Sequence, residues 1–492
     1  MESEKDRSDQ DGTSLSSFPG ANEAGEISNE SSKESKVLNK VDLTVLPLLF
    51  LGLLVFQLDR MNIASALTAG FATDIKVDQS TINLGNQLMF MSIVILEIPS
   101  NMLLQRVGPR KWIAGQVLAF GLVASLQIFV KNRTGFLVSR FILGLCESGY
   151  IPGAIYTLST WYTKKELARR VAVFFFGMFG GNAISPLLAT GILKLDSARG
   201  LRGWQWLFLV EGLFTIFVSL IILLFLPGTP DKPRPLLSSG IIRFTESDAH
   251  TLRERLQRDE QGKAPEAQGM HISLQVVWTT VSHYKRWPHF ISTFAVFSTW
   301  SPLTTYTPSI MVSLGWDRTE ANALAAVGAA LALVFVFLFA YISDVTNQRG
   351  ASVIGSQVCY HVALIATRQI HPHVGQWSQW GLWTAVNSLA VGYHATQNTW
   401  IQLNCPDPRE RSIAIAMFVM SAISGLMVGT QYYQADDKPF YQTGLRTQII
   451  MVSVGILFSI LQVGIYKVHN KRVAVGGHDK TAAGETHQIY VP

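Results

Sequence analysis

The chain has 492 residues, of which 48% are hydrophobic and 15% are charged, and its formal net charge is +6. Soluble domains carry roughly 25% charged residues, so this composition excludes an ordinary soluble protein and favours a membrane protein. The basic residues are scattered over loops and form no stripe, so no nucleic-acid partner is expected.

Polar residues come first in the chain. Residues 1–41 are rich in Ser, Glu, Asp and Lys and contain little that a core could bury, a composition typical of disorder. They lack the basic and apolar regions of a cleaved signal peptide. We therefore interpret residues 1–41 as a disordered cytosolic tail.

Twelve apolar segments follow, each of about 20 residues and long enough to cross the hydrocarbon core as a helix. Segments 1 to 6 are predicted near 42–67, 82–104, 110–130, 134–162, 169–193 and 204–227. Segments 7 to 12 are predicted near 286–314, 320–343, 350–370, 376–402, 411–434 and 445–468. The central loop, 228–285, is predicted to hold an amphipathic surface helix near 241–260, and residues 469–492 form a second tail.

Segment 4 contains two charged residues, Arg140 and Glu147. A spacing of seven residues returns them to nearly the same helix face, and Pro152 is expected to bend the far end. Charges inside a membrane are costly and usually functional. The alternative is structural: Arg140 extends to the near surface, and Glu147 pairs with a neighbouring helix.

A family resemblance rests on this segment and on five other motifs. Segment 4 continues into the run RFILGLCESGYIPGAIYTLSTWYTKKELARR, and LDRMNIASA, EIPSNMLLQRVGPRKW, GWQWLFLVEG, FLPGTPDKP and ADDKPFYQTG occur in the expected order. Together they resemble the major facilitator superfamily, in the version of the fungal anion:cation symporters, the allantoate, nicotinate and vitamin permease group. The resemblance implies an all-α polytopic membrane protein with 12 transmembrane helices in two six-helix halves, 42–227 and 286–468.

The resemblance also implies that segments 1, 4, 7 and 10 line a central cavity. Asp59 on segment 1 and Arg140 lie at similar depth, so we hypothesise a switchable ion pair between them. An anionic substrate that binds Arg140 then releases Asp59 to bind a proton. Glu147 is the second candidate for proton coupling, whereas Glu211 on segment 6 is expected to pair with polar groups for structure.

The candidate substrate-binding residues come from both halves. Segments 7, 9, 10 and 11 hold no clear intramembrane carboxylate, so the second half is expected to contribute neutral polar groups. A spacing of seven and three residues places Asn387, His394 and Gln397 near one helix face. The full predicted set is Arg60, Asn62, Arg140, Tyr306, Asn387, His394 and Gln397.

Two short basic loops resemble the second-loop motif of the superfamily. QRVGPRK follows segment 2 and SDVTNQRG follows segment 8, and Gln105 stands where the motif usually has an aspartate. The predicted gating residues are Glu97, Arg106, Gly108, Arg110, Asp344 and Arg349. Alternatively, both loops are simply solvated turns. Glycine pairs 177/181 and 425/429 are expected to allow close approach between the halves.

An even number of segments places both tails and the central loop on one side. The short loops of the two sides hold equal numbers of Lys and Arg, so they do not determine the orientation. Basic residues next to the membrane ends of the tails and central loop, such as Lys36, Lys40, Lys467 and Lys471, indicate that the tails and the central loop are cytosolic. Asn132 then lies outside in a sequon, but so close to the bilayer that we expect it to be unmodified.

We conclude that a secondary active transporter, a proton-coupled symporter that takes up a small organic anion, is the leading hypothesis. Export is the alternative, because AAVGAA at 325–330 departs from the group's pattern. A receptor with transporter architecture is a third possibility. The sequence contains no phosphate-binding loop, so no ATP-driven pump is expected. Cys146, Cys359 and Cys405 show no metal-ligand or paired spacing, so no disulfide and no metal site are expected. No enzyme activity and no cofactor are expected either. The predicted setting is a monomer in the lipid bilayer of the plasma membrane, with the vacuole as the alternative.

Overall fold

A computed structural model describes residues 19–230, 232–235, 242–261, 274–405, 408–480 and 489–492. Within these ranges the chain is helical, and the twelve membrane segments lie in the predicted order. Segments 1 to 6 are Pro19–Thr68, Gln79–Val107, Pro109–Leu126, Arg133–Glu147 with Tyr150–Trp161, Lys164–Ile192 and Gly203–Phe225. Segments 7 to 12 are Trp287–Ser298 with Trp300–Ser313, Arg318–Thr346, Arg349–Ile370, Gln376–Leu389 with His394–Leu403, Pro408–Gly429 and Gln442–Lys480.

Helix ends differ from the prediction at both tails. Segment 1 begins at Pro19, so the part of the predicted disordered tail from that residue onward is helical; residues 1–18 lie outside the described ranges. Segment 12 continues to Lys480, twelve residues beyond its predicted end at 468. The side of the molecule that holds these tails and the central loop is called the terminal face here, and the other side the opposite face.

Segment 4 is not one helix. It breaks at Ser148 and Gly149, where Gly149 adopts a left-handed conformation with φ 79° that favours glycine. The carbonyl of Ser148 accepts hydrogen bonds from Ser100 at 2.8 Å and from Gln116 at 2.5 Å. These bonds satisfy a backbone group that lipid could not. Pro152 lies in the first turn after the break, where proline is tolerated, so it does not cause the bend.

Eight of the described segments, 1, 3, 4, 5, 6, 8, 9 and 12, are each long and apolar enough to cross a membrane. The other four are more polar, are divided into shorter helices or, like segment 11, are apolar only over a shorter stretch, Ile413–Gly429. Apolar side chains of both halves form one continuous cluster on the opposite face, from Phe71 and Phe136 to Tyr306 and Tyr433. This cluster joins the halves near the polar groups described below.

The central loop contains the helix Glu246–Gln261, close to the predicted 241–260. Its apolar side chains Ala249 and Leu252 are buried. Asp248 accepts a hydrogen bond from Lys40 at 2.6 Å, and Arg255 pairs with Glu166 at the start of segment 5. The loop helix is therefore bound to the first half at its terminal face.

Candidate functional site

Buried charged side chains meet in the first half, between segments 1, 2 and 4. Arg60 donates from Nε to Oε2 of Glu147 at 2.6 Å, and its guanidinium lies 4.3 Å from the ring centroid of Phe56. Glu147 is fully buried, and its Oε1 has no donor among the described residues. We call Arg60, Asn86, Arg140 and Glu147 the charge cluster.

Arg140 is the second cation of the charge cluster and lies with Glu147 on the buried face of its helix. Its Nη2 donates to Oδ1 of Asn86 at 2.5 Å, and Asn86 Nδ2 donates to Thr305 Oγ1 of the second half at 3.3 Å. Nε and Nη1 of Arg140 have no acceptor in the described part of the chain. A buried charge without hydrogen-bond partners is costly, so these two donors are suited to an anionic ligand.

Asp59 does not pair with Arg140, and the predicted ion pair is wrong. The Asp59 carboxyl is fully buried beside Thr215, within electrostatic reach of Glu211 on segment 6 and of Glu147. Successive residues of a helix point about 100° apart, so when Arg60 faces segment 4, Asp59 turns toward segment 6. The depth of Asp59 in the membrane, which is all that the sequence indicates, could not distinguish a contact with segment 4 from a contact with segment 6.

The predicted structural pairing of Glu211 is also wrong. Neither carboxyl oxygen of Glu211 or of Asp59 has a hydrogen-bond partner among the residues that the structure describes. Asn62, on the same segment as Asp59, is likewise buried with both amide atoms unpartnered. The first half therefore holds a second group of buried polar atoms, next to the charge cluster.

The predicted residues of the second half do not converge. Segment 10 breaks between Leu389 and His394, so the face expected from a continuous helix is lost. Asn387 accepts a hydrogen bond from Thr307 at 3.1 Å. His394 packs against Phe297, with ring centroids 4.9 Å apart, whereas Gln397 bonds His289 Nδ1 at 3.2 Å inside the second half.

A small cavity of about 40 Å³ lies between the halves. Met61 and Asn182 line it from the first half, and Thr307 and Asn387 from the second. Small residues of segment 8, among them Ala329, also line it. Its volume is well below the roughly 300–1,000 Å³ of small-molecule sites, so this conformation leaves room only for small groups between the halves.

Hydrogen bonds join the two halves on the opposite face. The hydroxyl of Tyr306 donates to Oδ1 of Asn83, while Asn83 Nδ2 and Gln79 Nε2 each donate to the carbonyl of Tyr433 at 3.0 Å. We call these four residues the gate cluster. Further inter-half bonds link Asn322 to Thr68 at 3.0 Å and Gln431 to Gln87 at 3.3 Å. All hydrogen bonds between the halves made by described residues lie on this side, so the opposite face is closed.

Comparison with known proteins identifies the family. The family model described as Major Facilitator Superfamily matches residues 49–429. The chain belongs to this superfamily. It is a membrane transporter of the major facilitator type, as its relatives indicate.

Two relatives of this transporter, one fungal and one bacterial, match most of its length. An uncharacterized transporter of Saccharomyces cerevisiae is 27% identical over 440 residues, covering 89% of this chain and 81% of that protein. A protein of Agrobacterium vitis named as a tartrate transporter is 28% identical over 338 residues, covering 68% of this chain and 70% of that protein.

Solved structures share the fold of the transporter. A bacterial homolog of the human lysosomal transporter Spinster, inward-facing and occupied, has a TM-score of 0.64 at 14% identity over 86% of this chain and 96% of that one. The xylose transporter XylE of E. coli, inward open, has a TM-score of 0.63 at 12% identity over 85% and 94%. These likenesses confirm the predicted all-helical, two-half architecture.

The predicted gating residues of the transporter lie near the terminal face. Arg349 pairs with Asp344 and donates to Ser343 Oγ at 2.9 Å. Arg110 donates to the carbonyl of Arg234 in the central loop at 2.7 Å, and Arg106 is exposed. Gly108 caps segment 3 with φ 93°. Glu97 lies on segment 2 within electrostatic reach of Arg60.

Sequence reasoning missed the polar residues of segment 2. Gln79, Asn83 and Asn86 follow one another at spacings of four and three residues, which places them on one helix face. This spacing is visible in the sequence. Asn132, the predicted sequon residue, caps segment 4 by accepting a hydrogen bond from the Gly135 N–H at 2.8 Å.

Proposed function

We propose that this transporter takes up a small organic anion together with a proton, as a member of the fungal anion:cation symporter group. The observation that carries the proposal is Arg140, a buried guanidinium with two unused donors next to the Arg60–Glu147 pair. Two cations against one carboxylate leave the charge cluster with an excess positive charge. An anionic cargo balances that excess.

The proton is bound by Glu147 in this proposal. A carboxylate of the cargo takes the free donors of Arg140 and competes with Glu147 for Arg60. Once Glu147 loses its cation, a proton neutralises it, because an opposite charge nearby is what favours the ionised form. Cargo and proton are therefore bound together. Asp59 and Glu211, which replace the disproved Asp59–Arg140 pair, are a second place where two neighbouring carboxyl groups can share a proton.

The charge cluster also bonds the second half, at Thr305, the neighbour in sequence of the gate-cluster residue Tyr306. Arg140 bonds Asn86, and Asn86 bonds Thr305 across the interface between the halves. A cargo that draws Arg140 toward itself weakens the Asn86 link. Binding of the anion and opening of the opposite face are thus coupled through one asparagine in the proposed cycle.

A small carboxylate is the proposed cargo class. The relatives named for tartrate support it, as do the two unpaired donors of Arg140. Further features of the proposal are cytosolic tails, a plasma-membrane location and a monomeric state. The proposed gating residues are Glu97, Arg106, Gly108, Arg110, Asp344 and Arg349. With the terminal face in the cytosol, the structure corresponds to an inward-facing state, since its opposite face is closed.

Uptake by proteoliposomes tests the proposal. Labelled tartrate and a panel of small carboxylates are offered with and without an inward proton gradient, to the wild type, Glu147→Gln and the control Glu320→Gln, an exposed carboxylate at the start of segment 8. We expect Glu147→Gln to exchange substrate but to lose gradient-driven accumulation, and the control to retain both. Accumulation by Glu147→Gln at the wild-type level refutes the coupling role, and absence of uptake across the panel refutes the cargo class.

A further inference from the structure

The last residues of the chain return to the helical bundle at the terminal face. Segment 12 ends at Lys480, yet Ile489–Pro492 lies against the second half. Tyr490 is only 3% exposed, and its ring stacks on Tyr466 with centroids 4.6 Å apart and planes 8° apart. A residue predicted to belong to a free tail is thus as buried as a core residue.

Two asparagines hold the backbone of this segment. Asn404 accepts from the N–H of Val491 at 2.7 Å and donates to its carbonyl at 3.1 Å. Asn470 accepts from the N–H of Tyr490 at 2.9 Å and donates to its carbonyl at 2.6 Å. Each side-chain amide therefore pairs with both backbone groups of one residue.

Aromatic rings complete the site. Trp400 Nε1 donates to the Val491 carbonyl at 2.8 Å, and the His469 ring centroid lies 4.8 Å from that of Tyr490. We call Trp400, Asn404, Tyr466, His469 and Asn470 the socket. By contrast, the side chain of Ile489 is 73% exposed. The socket therefore recognises an extended backbone with one tyrosine.

The position of the socket connects it to the transport cycle. Its residues belong to segments 10 and 12, and the carbonyl of Pro492 accepts from the N–H of Gly350 at the start of segment 9, at 3.4 Å. One short strap thus joins the ends of three segments, all of the second half, at the terminal face. The strap therefore fixes the positions of these ends relative to one another, and it restrains the cycle if closing this face requires one of the three ends to shift against the other two.

We propose that residues 489–492 are an intramolecular peptide ligand of the socket that stabilises the state with an open terminal face and so restrains the transport cycle. A ligand shifts a conformational equilibrium only if it binds one state better than the other. Releasing the strap then moves the population toward closure of the terminal face. This inference rests on neither the proposed cargo nor the proton, and its test needs no substrate.

Cys405 provides a native reporter of docking. It is buried next to Asn404 and lies within electrostatic reach of Tyr490. With Cys146 and Cys359 changed to serine, it is the only thiol of the chain. We expect Tyr490→Ala to raise the rate of maleimide labelling at Cys405 at least tenfold, and Ile489→Ala and Tyr490→Phe to leave it near the wild-type rate.

Adding peptide separates docking from misfolding. In a variant that lacks residues 489–492, the synthetic peptide Ile-Tyr-Val-Pro should restore the protection of Cys405, whereas Ile-Ala-Val-Pro should not. Restoration by the tyrosine peptide demonstrates a folded, vacant socket. Equal labelling of wild type and Tyr490→Ala, or failure of the tyrosine peptide to protect, refutes the socket.

Distances across the terminal face test the restraint. Spin labels at Ser159 in the first half and Thr346 in the second, both exposed, report the separation of the halves there. We expect Tyr490→Ala to increase the short-distance fraction severalfold, and the tyrosine peptide to reverse the change in the variant without residues 489–492. An unchanged distance distribution, even with faster Cys405 labelling, overturns the proposed restraint.

Discussion

Asn83→Leu is expected to open the opposite face of the transporter. Asn83 is fully buried and makes two bonds between the halves, one from Tyr306 and one to the carbonyl of Tyr433. A hydrogen bond contributes a net stability of about 1 kcal/mol, so the closed state loses about 2 kcal/mol relative to the open state, in which water solvates these groups. That difference corresponds to a shift of roughly 30-fold in the ratio of closed to open molecules.

Double-label distance measurements provide the assay. Lys131 in the first half and Ser378 in the second are exposed at the opposite face. Spin labels there are expected to show a new long-distance population in Asn83→Leu. Ser80→Ala is the matched control, because the Ser80 hydroxyl bonds only Asp78, at 2.8 Å on its own helix start. It removes a polar group from the same segment without touching the interface.

The reasoning is refuted if Asn83→Leu leaves the distance distribution of the wild type unchanged. It is also refuted if the control opens the face to the same extent, because the effect then stems from a general loosening of segment 2. A further variant, Tyr306→Phe, removes one of the two bonds, and its shift should be close to the square root of the 30-fold ratio, about fivefold.

Three other predictions concern packing and the central loop. Gly429→Ala places a methyl group 1.8 Å from the carbonyl oxygen of Ser298 on segment 7. It should lower the free energy of unfolding by about 1–3 kcal/mol, measured by thermal melts. The control Gly464→Ala, whose added methyl group meets open space, should not destabilise the protein. Arg255→Ala should release the loop helix and speed its cleavage by a protease, measured by gel; an unchanged rate contradicts its bonding to the first half. Burial opposes ionisation of Asp248, but the contacts with Lys40 and with Thr245 together outweigh it and lower the pKa of Asp248 below its usual 3.8. The contact therefore stabilises the loop helix above that value and is lost as the pH falls through the lowered pKa, a dependence that Asp248→Asn should abolish in protease titrations against pH.

The twelve segments could be predicted because the length of an apolar run is a local property of the chain. That Arg140 and Glu147 share one buried helix face could also be predicted, since helical periodicity holds within Arg133–Glu147. The partner of each charged side chain could not be predicted, because it depends on how one helix is rotated relative to another. Asp59 and Arg60 are adjacent in sequence, yet they face different segments.

Helix breaks limited the prediction in segments 4 and 10. A break resets the helical phase, so residues on its two sides no longer share a face, as Asn387 and His394 demonstrate. Gly149 with its left-handed backbone is a recognisable signal for one break. The break after Leu389 also contains a glycine, Gly392, but without a left-handed backbone, so the residue type alone does not mark the break.

The two glycine pairs do not lie between the halves, where they were expected. Gly177 approaches Phe50 of segment 1, where an added Cβ would lie 2.7 Å from the carbonyl oxygen, and Gly425 approaches Phe294 of segment 7 at 2.5 Å. Each pair therefore packs inside its own half, not between the halves. Segments 5 and 11 use glycines for equivalent contacts with segments 1 and 7, so the two halves repeat their packing as well as their order.

Polar groups of segments 2, 7 and 11 meet at the interface between the halves that moves during transport. Asn83, Tyr306 and the carbonyl of Tyr433, from segments 2 and 7 and the end of segment 11, bond one another across the halves. Polar groups at this interface are satisfied by one another in the closed state and by water in the open state, and lipid is excluded from them in both. The same reasoning predicts that Asn83→Leu changes the ratio of the closed to the open state and leaves membrane insertion unchanged.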